Sequence, residues 1–92
     1  ADIIEVKHQS WDWTTHKDIP WAQIIVCAKK AFDRHLHKPS AYFLVNQQLS
    51  HALVIPTETC GEWTVKEIHD KKKDWIQTMY MITPSNYKFI QL

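Results

Sequence analysis

The chain has 92 residues, of which 45% are hydrophobic, and its 11 basic and 10 acidic residues leave a net charge of +1. This length suits one small domain, so we expect a single domain over residues 1–92. No apolar run approaches the roughly 20 residues of a membrane span, and the balanced charge predicts neither a membrane nor a nucleic acid as partner. The N-terminus lacks the pattern of a signal peptide, and two cysteines make no disulfide framework, so we expect a cytoplasmic location. The absence of an initial methionine fits a trimmed, processed or synthetic chain.

The first third of the chain predicts one or two strands and a long helix. Asp2–Lys7 is rich in β-branched residues, which favour a strand. Trp11–Thr15 alternates large apolar with polar side chains, which fits either a second strand or a loop. Asp18 suits an N-cap, and apolar residues then recur at helical spacing, so we predict a helix over about Ile19–His37. Pro39 would enforce its end.

The rest of the chain predicts four strands and a second, shorter helix. The strands are expected at Ala41–Val45, Ala52–Ile55, Ile76–Ile82 and Tyr87–Leu92. A polar stretch of hairpin-loop character separates the first two of them. Thr64 followed by Glu67 matches the capping box, which predicts a helix from Val65 to about Asp74.

This order of elements fits two small α+β folds. In a β-grasp fold, the first two predicted strands form a hairpin and the long helix crosses the sheet. In a ferredoxin-like split βαβ fold, the order is β-α-β-β-α-β and Tyr87–Leu92 is an extra strand. The sheet order separates the two, because β-grasp folds pair the first and last strands in parallel, whereas the ferredoxin-like order is 4-1-3-2. We predict the β-grasp fold, with the ferredoxin-like fold as the alternative.

Several segments resemble ubiquitin-like domains of the Ras-association type. They are Asp18–Ile25, Ala28–Phe32, Ala41–Val45, Ala52–Glu58 and Ile76–Met81. The resemblance implies a noncatalytic protein-interaction module that binds a small GTPase through a sheet edge and the first helix. The basic positions that would match the family's partner-binding residues are Lys7, His16, Lys17, Lys29 and Lys30. The chain ends in Ile90-Gln91-Leu92 and not in Gly-Gly, which argues against a conjugated modifier.

No motif in the sequence carries recognisable chemistry. The six histidines are scattered, and His35 and His37 would point in different directions on the predicted helix. Cys27 lies beside the apolar face of that helix, where burial raises a thiol pKa. A single glycine, Gly61, leaves no Gly-rich phosphate loop. We therefore predict no catalytic residues, no metal, no cofactor and no enzymatic activity.

Two further hypotheses stay open. Glycine usage is far below the average of about 7%, which fits a computationally designed or redesigned α+β protein with no biological function. The other is a small enzyme or nucleic-acid binder with the ferredoxin-like fold. The sequence predicts neither the identity of a partner nor the oligomeric state.

Overall fold

The computed structural model describes residues 3–92, and most of their regular structure is β. The strands are β1 (Ile4–His8), β2 (Ile24–Ala28), β3 (Ala41–Val45), β4 (His51–Pro56), β5 (Thr64–Asp70), β6 (Trp75–Ile82) and β7 (Lys88–Gln91). One short α-helix, α1, covers Lys29–Arg34 within this range. Short 3₁₀ helices cover His16–Asp18, Thr57–Glu62 and Pro84–Asn86.

The strands form two sheets. The first has the order β1-β3-β4-β7, with β1 parallel to β3 and the other neighbours antiparallel. The second has the order β2-β6-β5 and is antiparallel throughout. Parallel strands need a long crossover connection, and here the crossover from β1 to β3 contains β2 and α1.

The structure confirms a small domain that mixes helix and strand, but it does not confirm a β-grasp fold. Within residues 3–92, β1 and β7 lie at opposite edges of one sheet, so the first and last strands are not a parallel pair. The ferredoxin-like order 4-1-3-2 is not formed by this part of the chain either. The reason is that each of the two predicted helices contains a strand, β2 or β5, and these two strands form a second sheet with β6.

The predicted helix over Ile19–His37 is wrong for most of its length. Residues 24–28 form β2, and only Lys29–Arg34 is helical. The β-branched run from Ile24 to Val26 loses side-chain freedom in a helix and favours a strand. Antiparallel pairing with β6 then fixes the extended conformation.

The predicted helix from Val65 to Asp74 is also wrong. Residues 64–70 form β5, which pairs with β6 along its whole length, so Thr64 begins a strand and is no helix cap. The Lys71–Lys73 run lies in the turn between these strands. Asp70 Oδ1 accepts hydrogen bonds there from the backbone N–H groups of Lys72 and Lys73, at 3.0 and 3.3 Å.

The remaining strand predictions are largely confirmed. β3, β4, β6 and β7 lie within a residue or so of the predicted ranges. Of the predicted strand Asp2–Lys7, Asp2 lies outside the described residues and the rest corresponds to β1. Trp11–Thr15 is irregular and not a strand, so the predicted front hairpin is not formed there.

The core lies between the inner faces of the two sheets and is rich in aromatic residues. α1 places Phe32 against Trp63 and Tyr80, with ring centroids 5.2 and 5.4 Å apart. Tyr42 of β3 packs against the same Trp63 ring at 5.9 Å. These edge-on and tilted arrangements stabilise beyond the area that the rings bury. The short helix is therefore held by its one buried side chain and by few other contacts.

Asn46 follows β3 and is the one buried polar side chain among the described residues, with 1% of its surface exposed. Its Nδ2 donates to the Trp13 carbonyl at 2.8 Å and to Ser50 Oγ at 2.9 Å. Its Oδ1 accepts from the backbone N–H groups of Ser50 and His51, at 2.9 and 3.3 Å. One amide thus joins the β3–β4 turn to the irregular segment that carries Trp13.

Candidate functional site

A cleft of about 210 Å³ lies between β1, the end of β2 and α1. Its ionisable lining residues are Glu5, Lys7, Cys27, His35 and Tyr42. We call it the Glu5–Lys7 cleft. Pockets in which several polar groups converge are the usual location of ligand sites.

Glu5 and Lys7 reach the cleft because alternate residues of a strand share one face. They pair in register with Tyr42 and Leu44 of β3, which are both buried, so this face of β1 looks toward the core. Neither charge is neutralised by an ion pair within residues 3–92. The Lys7 Nζ lies 5.9 Å from the centroid of the Tyr42 ring. Two charged side chains of opposite sign, neither of them in an ion pair within residues 3–92, therefore line the edge of the first sheet.

Cys27 and Tyr42 contribute neutral groups to the cleft. Burial raises the pKa of the Cys27 thiol, and the Tyr42 hydroxyl only partly offsets this effect. Burial is also the main cause of the raised pKa of Tyr42. Since a thiol is nucleophilic only when it is ionised, Cys27 is poorly suited to attack a substrate at neutral pH. Glu5 and Lys7 therefore supply the negative and the positive charge that line the cleft.

At the start of α1, an internal ion pair neutralises one lysine. Lys29 Nζ donates to Asp33 Oδ2, and the Tyr80 hydroxyl donates to Asp33 Oδ1 at 2.7 Å. The hydrogen bond from Lys29 is the main cause of the lowered pKa of Asp33, and the same contact raises the pKa of Lys29. Lys30 is exposed and has no ion-pair partner in the described part of the chain.

Residues 29–38, which we call the basic segment, lie against the cleft and carry an excess of positive charge. The segment contains four of the 11 basic residues and only one of the 10 acidic residues, and it also carries two histidines. Lys38 folds back over the segment: its Nζ donates to the His35 carbonyl at 2.8 Å and lies 4.9 Å from the centroid of Phe32. The basic segment thus borders the cleft that Lys7 lines.

The structure places three of the five predicted partner-binding residues on elements that border the cleft, although Lys29 and Lys30 do not line it. Lys7 lines the cleft, and Lys29 and Lys30 begin the helix that walls it. His16 and Lys17 lie in an exposed 3₁₀ helix, and His16 lines a separate depression of about 430 Å³.

Sequence reasoning did not single out Glu5, Tyr42 or Lys38. The alternation of Ile4, Glu5, Val6 and Lys7 could have shown that the two charges share a face, but not that the face would border a cleft. Only the crossover through α1 places the basic segment beside β1, and that is a tertiary feature.

Residues 3–92 contain no group of three or more His, Cys, Asp or Glu side chains placed to hold a metal ion. No helix in this range is both long and apolar enough to cross a membrane. Searches of protein-family models, of curated proteins and of solved structures found no match to this chain.

Proposed function

We propose that the Glu5–Lys7 cleft and the basic segment bind the phosphodiester backbone of a nucleic acid. The observation that carries this proposal is an excess of positive charge on the segment that borders the cleft: the basic segment has a net formal charge of +3, and its residues Ala31, Phe32 and His35 line the cleft together with Lys7. The net charge of the whole chain, +1, does not show this local excess of positive charge. A basic stripe on one face is the electrostatic feature that nucleic-acid binding requires.

Backbone binding of this kind is driven by the release of counterions from the phosphates. Lys7, Lys30 and Arg34 have no ion-pair partner within residues 3–92, so their charges are available to phosphate groups. Lys29 is less available because Asp33 neutralises it. The expected contact number is therefore small and the expected affinity is that of nonspecific binding, about 10⁻⁴–10⁻⁶ M at physiological salt.

The first prediction concerns Lys7. Replacement of Lys7 by glutamine should weaken binding to a labelled oligonucleotide roughly tenfold, since a charge-assisted contact to phosphate is lost. The slope of log affinity against log salt should become shallower by about one. Fluorescence anisotropy titrations between about 50 and 200 mM salt measure both quantities, since nonspecific affinity is strongly salt-dependent over this range.

Lys72→Gln is the matched control, because it removes the same charge from the exposed turn between β5 and β6. It should leave both the affinity and the salt slope close to those of the parent. If the two variants behaved alike, or if the parent bound neither single-stranded nor duplex DNA at low salt, the proposed site would be wrong.

The small GTPase that the sequence resemblance implies is a competing hypothesis for the same basic residues. The hairpin and the long helix on which that resemblance depends are not formed in residues 3–92, so only the charge supports it. Titration against small GTPases loaded with GTP or GDP analogues tests it directly. Nucleotide-dependent binding there, without binding to DNA or RNA, would favour the protein partner.

One observation favours a second candidate function, hydrolysis of the bound phosphodiester. Glu5 faces the same cleft as Lys7, and its carboxylate would repel a phosphate unless a cation lay between them. Mg²⁺ is commonly held by one or two carboxylates together with substrate phosphates and water. Glu5 would hold such an ion only with the substrate present, and Lys7 would stabilise the charge that develops on the phosphate. Water would add to phosphorus and release a proton to solvent, while the bond from phosphorus to the leaving sugar oxygen breaks and that oxygen takes up a proton from solvent.

Glu5→Gln tests this candidate, because it keeps the size of the side chain and removes the charge. If the parent cleaves plasmid DNA in millimolar Mg²⁺, Glu5→Gln should lower the cleavage rate by about 100-fold or more while DNA binding persists. Glu62→Gln, at an exposed position after β4, serves as the control. Absence of cleavage by the parent, or full cleavage by Glu5→Gln, would exclude hydrolysis by these residues and leave backbone binding untouched.

A further inference from the structure

A further cavity, of about 370 Å³, is lined in part by Trp11 and Trp21. The two indole rings meet edge to face, with centroids 4.6 Å apart and planes at 78°. Trp21 has 57% of its surface exposed, and Trp11 is half-buried against the core. The proposed backbone binding does not use either ring. We call this cavity the tryptophan cleft.

The remainder of the lining is apolar with a few polar groups. Ile25, Ile68 and Met81 form the apolar floor on the outer face of the second sheet. The polar groups are the amides of Gln9 and Gln23 and the ammonium of Lys66. The cleft therefore offers an aromatic face, hydrogen-bonding amides and one positive charge.

We propose that the tryptophan cleft takes one unstacked base of a single-stranded nucleic acid, a step that rests on the backbone binding proposed above. Bases of single strands stack on exposed aromatic side chains while basic residues follow the phosphates. Two perpendicular indoles also suit a quaternary ammonium group. Among the described residues, Lys66 is the one charged residue that lines this cleft; it repels a cation and attracts the phosphate attached to a nucleotide, so the base is the better match.

The glutamines supply groups for the edge of a base. Gln9 Oε1 accepts a hydrogen bond from the Trp13 indole N–H at 2.9 Å, which fixes the orientation of the amide and leaves its NH₂ group free to donate. Gln23 has no hydrogen-bond partner within residues 3–92. An amide can both donate to and accept from a base edge.

The two clefts draw lining residues from the same stretch of chain, β1 and the residue after it. Gln9 continues the line of β1, since its backbone N–H donates to the Val45 carbonyl at 2.8 Å. Lys7 lines the first cleft and Gln9 lines the second, and two residues of extended chain span about 7 Å. Under this proposal a bound single strand follows the line of β1, with a phosphate at Lys7 and a base at the indoles.

The experiment compares three fluorescein-labelled ligands of equal length: a single-stranded oligonucleotide, the same backbone with abasic sites, and a duplex. Trp21→Ala should weaken binding of the single strand roughly five- to a hundredfold, which is the range for loss of one stacked base. Binding of the abasic strand and of the duplex should not change, since neither presents an unstacked base. Trp75→Ala, which removes an indole that is 51% exposed on the β5–β6 hairpin, should change none of the three.

The outcomes separate the two proposals. If Trp21→Ala leaves single-strand affinity unchanged while Lys7→Gln weakens all three ligands, the base site is wrong and backbone binding stands. If Trp21→Ala weakens the abasic strand equally, the indole does not act by stacking, and the base site is again wrong. If the parent binds none of the ligands, both proposals fail. Thermal melts of each variant confirm that the chain is folded in every titration.

Discussion

Phe32→Ala should destabilise the protein by about 3–5 kcal/mol, the usual cost of removing a buried phenylalanine ring. The Phe32 ring contacts the rings of Tyr42, Trp63 and Tyr80, which come from both sheets and the segment between them. Because α1 buries no other side chain, its loss should also release the helix from the core. Urea denaturation, analysed as a two-state transition, measures the change in the free energy of unfolding.

Leu36→Ala is the matched control for Phe32. Leu36 lies four residues further along and has 93% of its surface exposed, so its replacement should change stability by no more than about 0.5 kcal/mol. A loss below about 1 kcal/mol for Phe32→Ala, which is well short of the usual cost of such a cavity, would show that the ring is not packed between the sheets.

Asn46→Ala should cost about 2–4 kcal/mol, because one buried and two part-buried backbone groups lose their partner and an unsatisfied buried group costs about 1–3 kcal/mol. The Trp13 carbonyl and the N–H groups of Ser50 and His51 are the groups affected. Hydrogen exchange should become faster at the Ser50 amide in this variant. The exposed Asn86 provides a control: its replacement by alanine should stay within about 0.5 kcal/mol of the parent. Unchanged exchange at Ser50 would contradict the bridging role of the Asn46 amide.

Strands with uninterrupted β-forming runs could be predicted from the sequence, and β2 could not. β2 pairs with β6 through a register shift between Ile25 and Cys27. The bulge breaks the alternation, so Val26 and Cys27 are both buried and the period of two is lost. Without that alternation, the apolar residues of β2 have a spacing that also fits the buried face of a helix.

β5 was missed for a different reason. Thr64 and Glu67 have the spacing of a capping box, and a lysine run follows, so the capping and charge signals favour a helix. In the structure, Thr64 pairs with Met81 and Glu67 with Thr78. Pairing with a later strand therefore overrides the local preference, and such nonlocal pairing leaves little trace in a single sequence.

The candidate site was predictable only in part. The basic positions Lys7, Lys29 and Lys30 were identified from a resemblance that implied a long helix and a front hairpin. The structure places these residues on elements that border one cleft, through a different connection, the crossover that sets α1 beside β1. The role proposed for Glu5 depends on which face of β1 borders the cleft. The alternation of residues in a strand does not show which face that is.

The parallel pairing of β1 with β3 has a consequence for how the chain folds. Ile4 pairs with Ala41, which is 37 residues away, and the whole of β2 and α1 lies between them. Closing such a loop lowers the conformational entropy of the chain before the hydrogen bonds of the strand pair can stabilise it. Chains dominated by distant pairings fold over milliseconds to seconds, whereas helical bundles fold in microseconds to milliseconds. During that interval the exposed apolar residues of β1, Ile4 and Val6, would lie on an unpaired edge, so aggregation would compete with folding at high concentration.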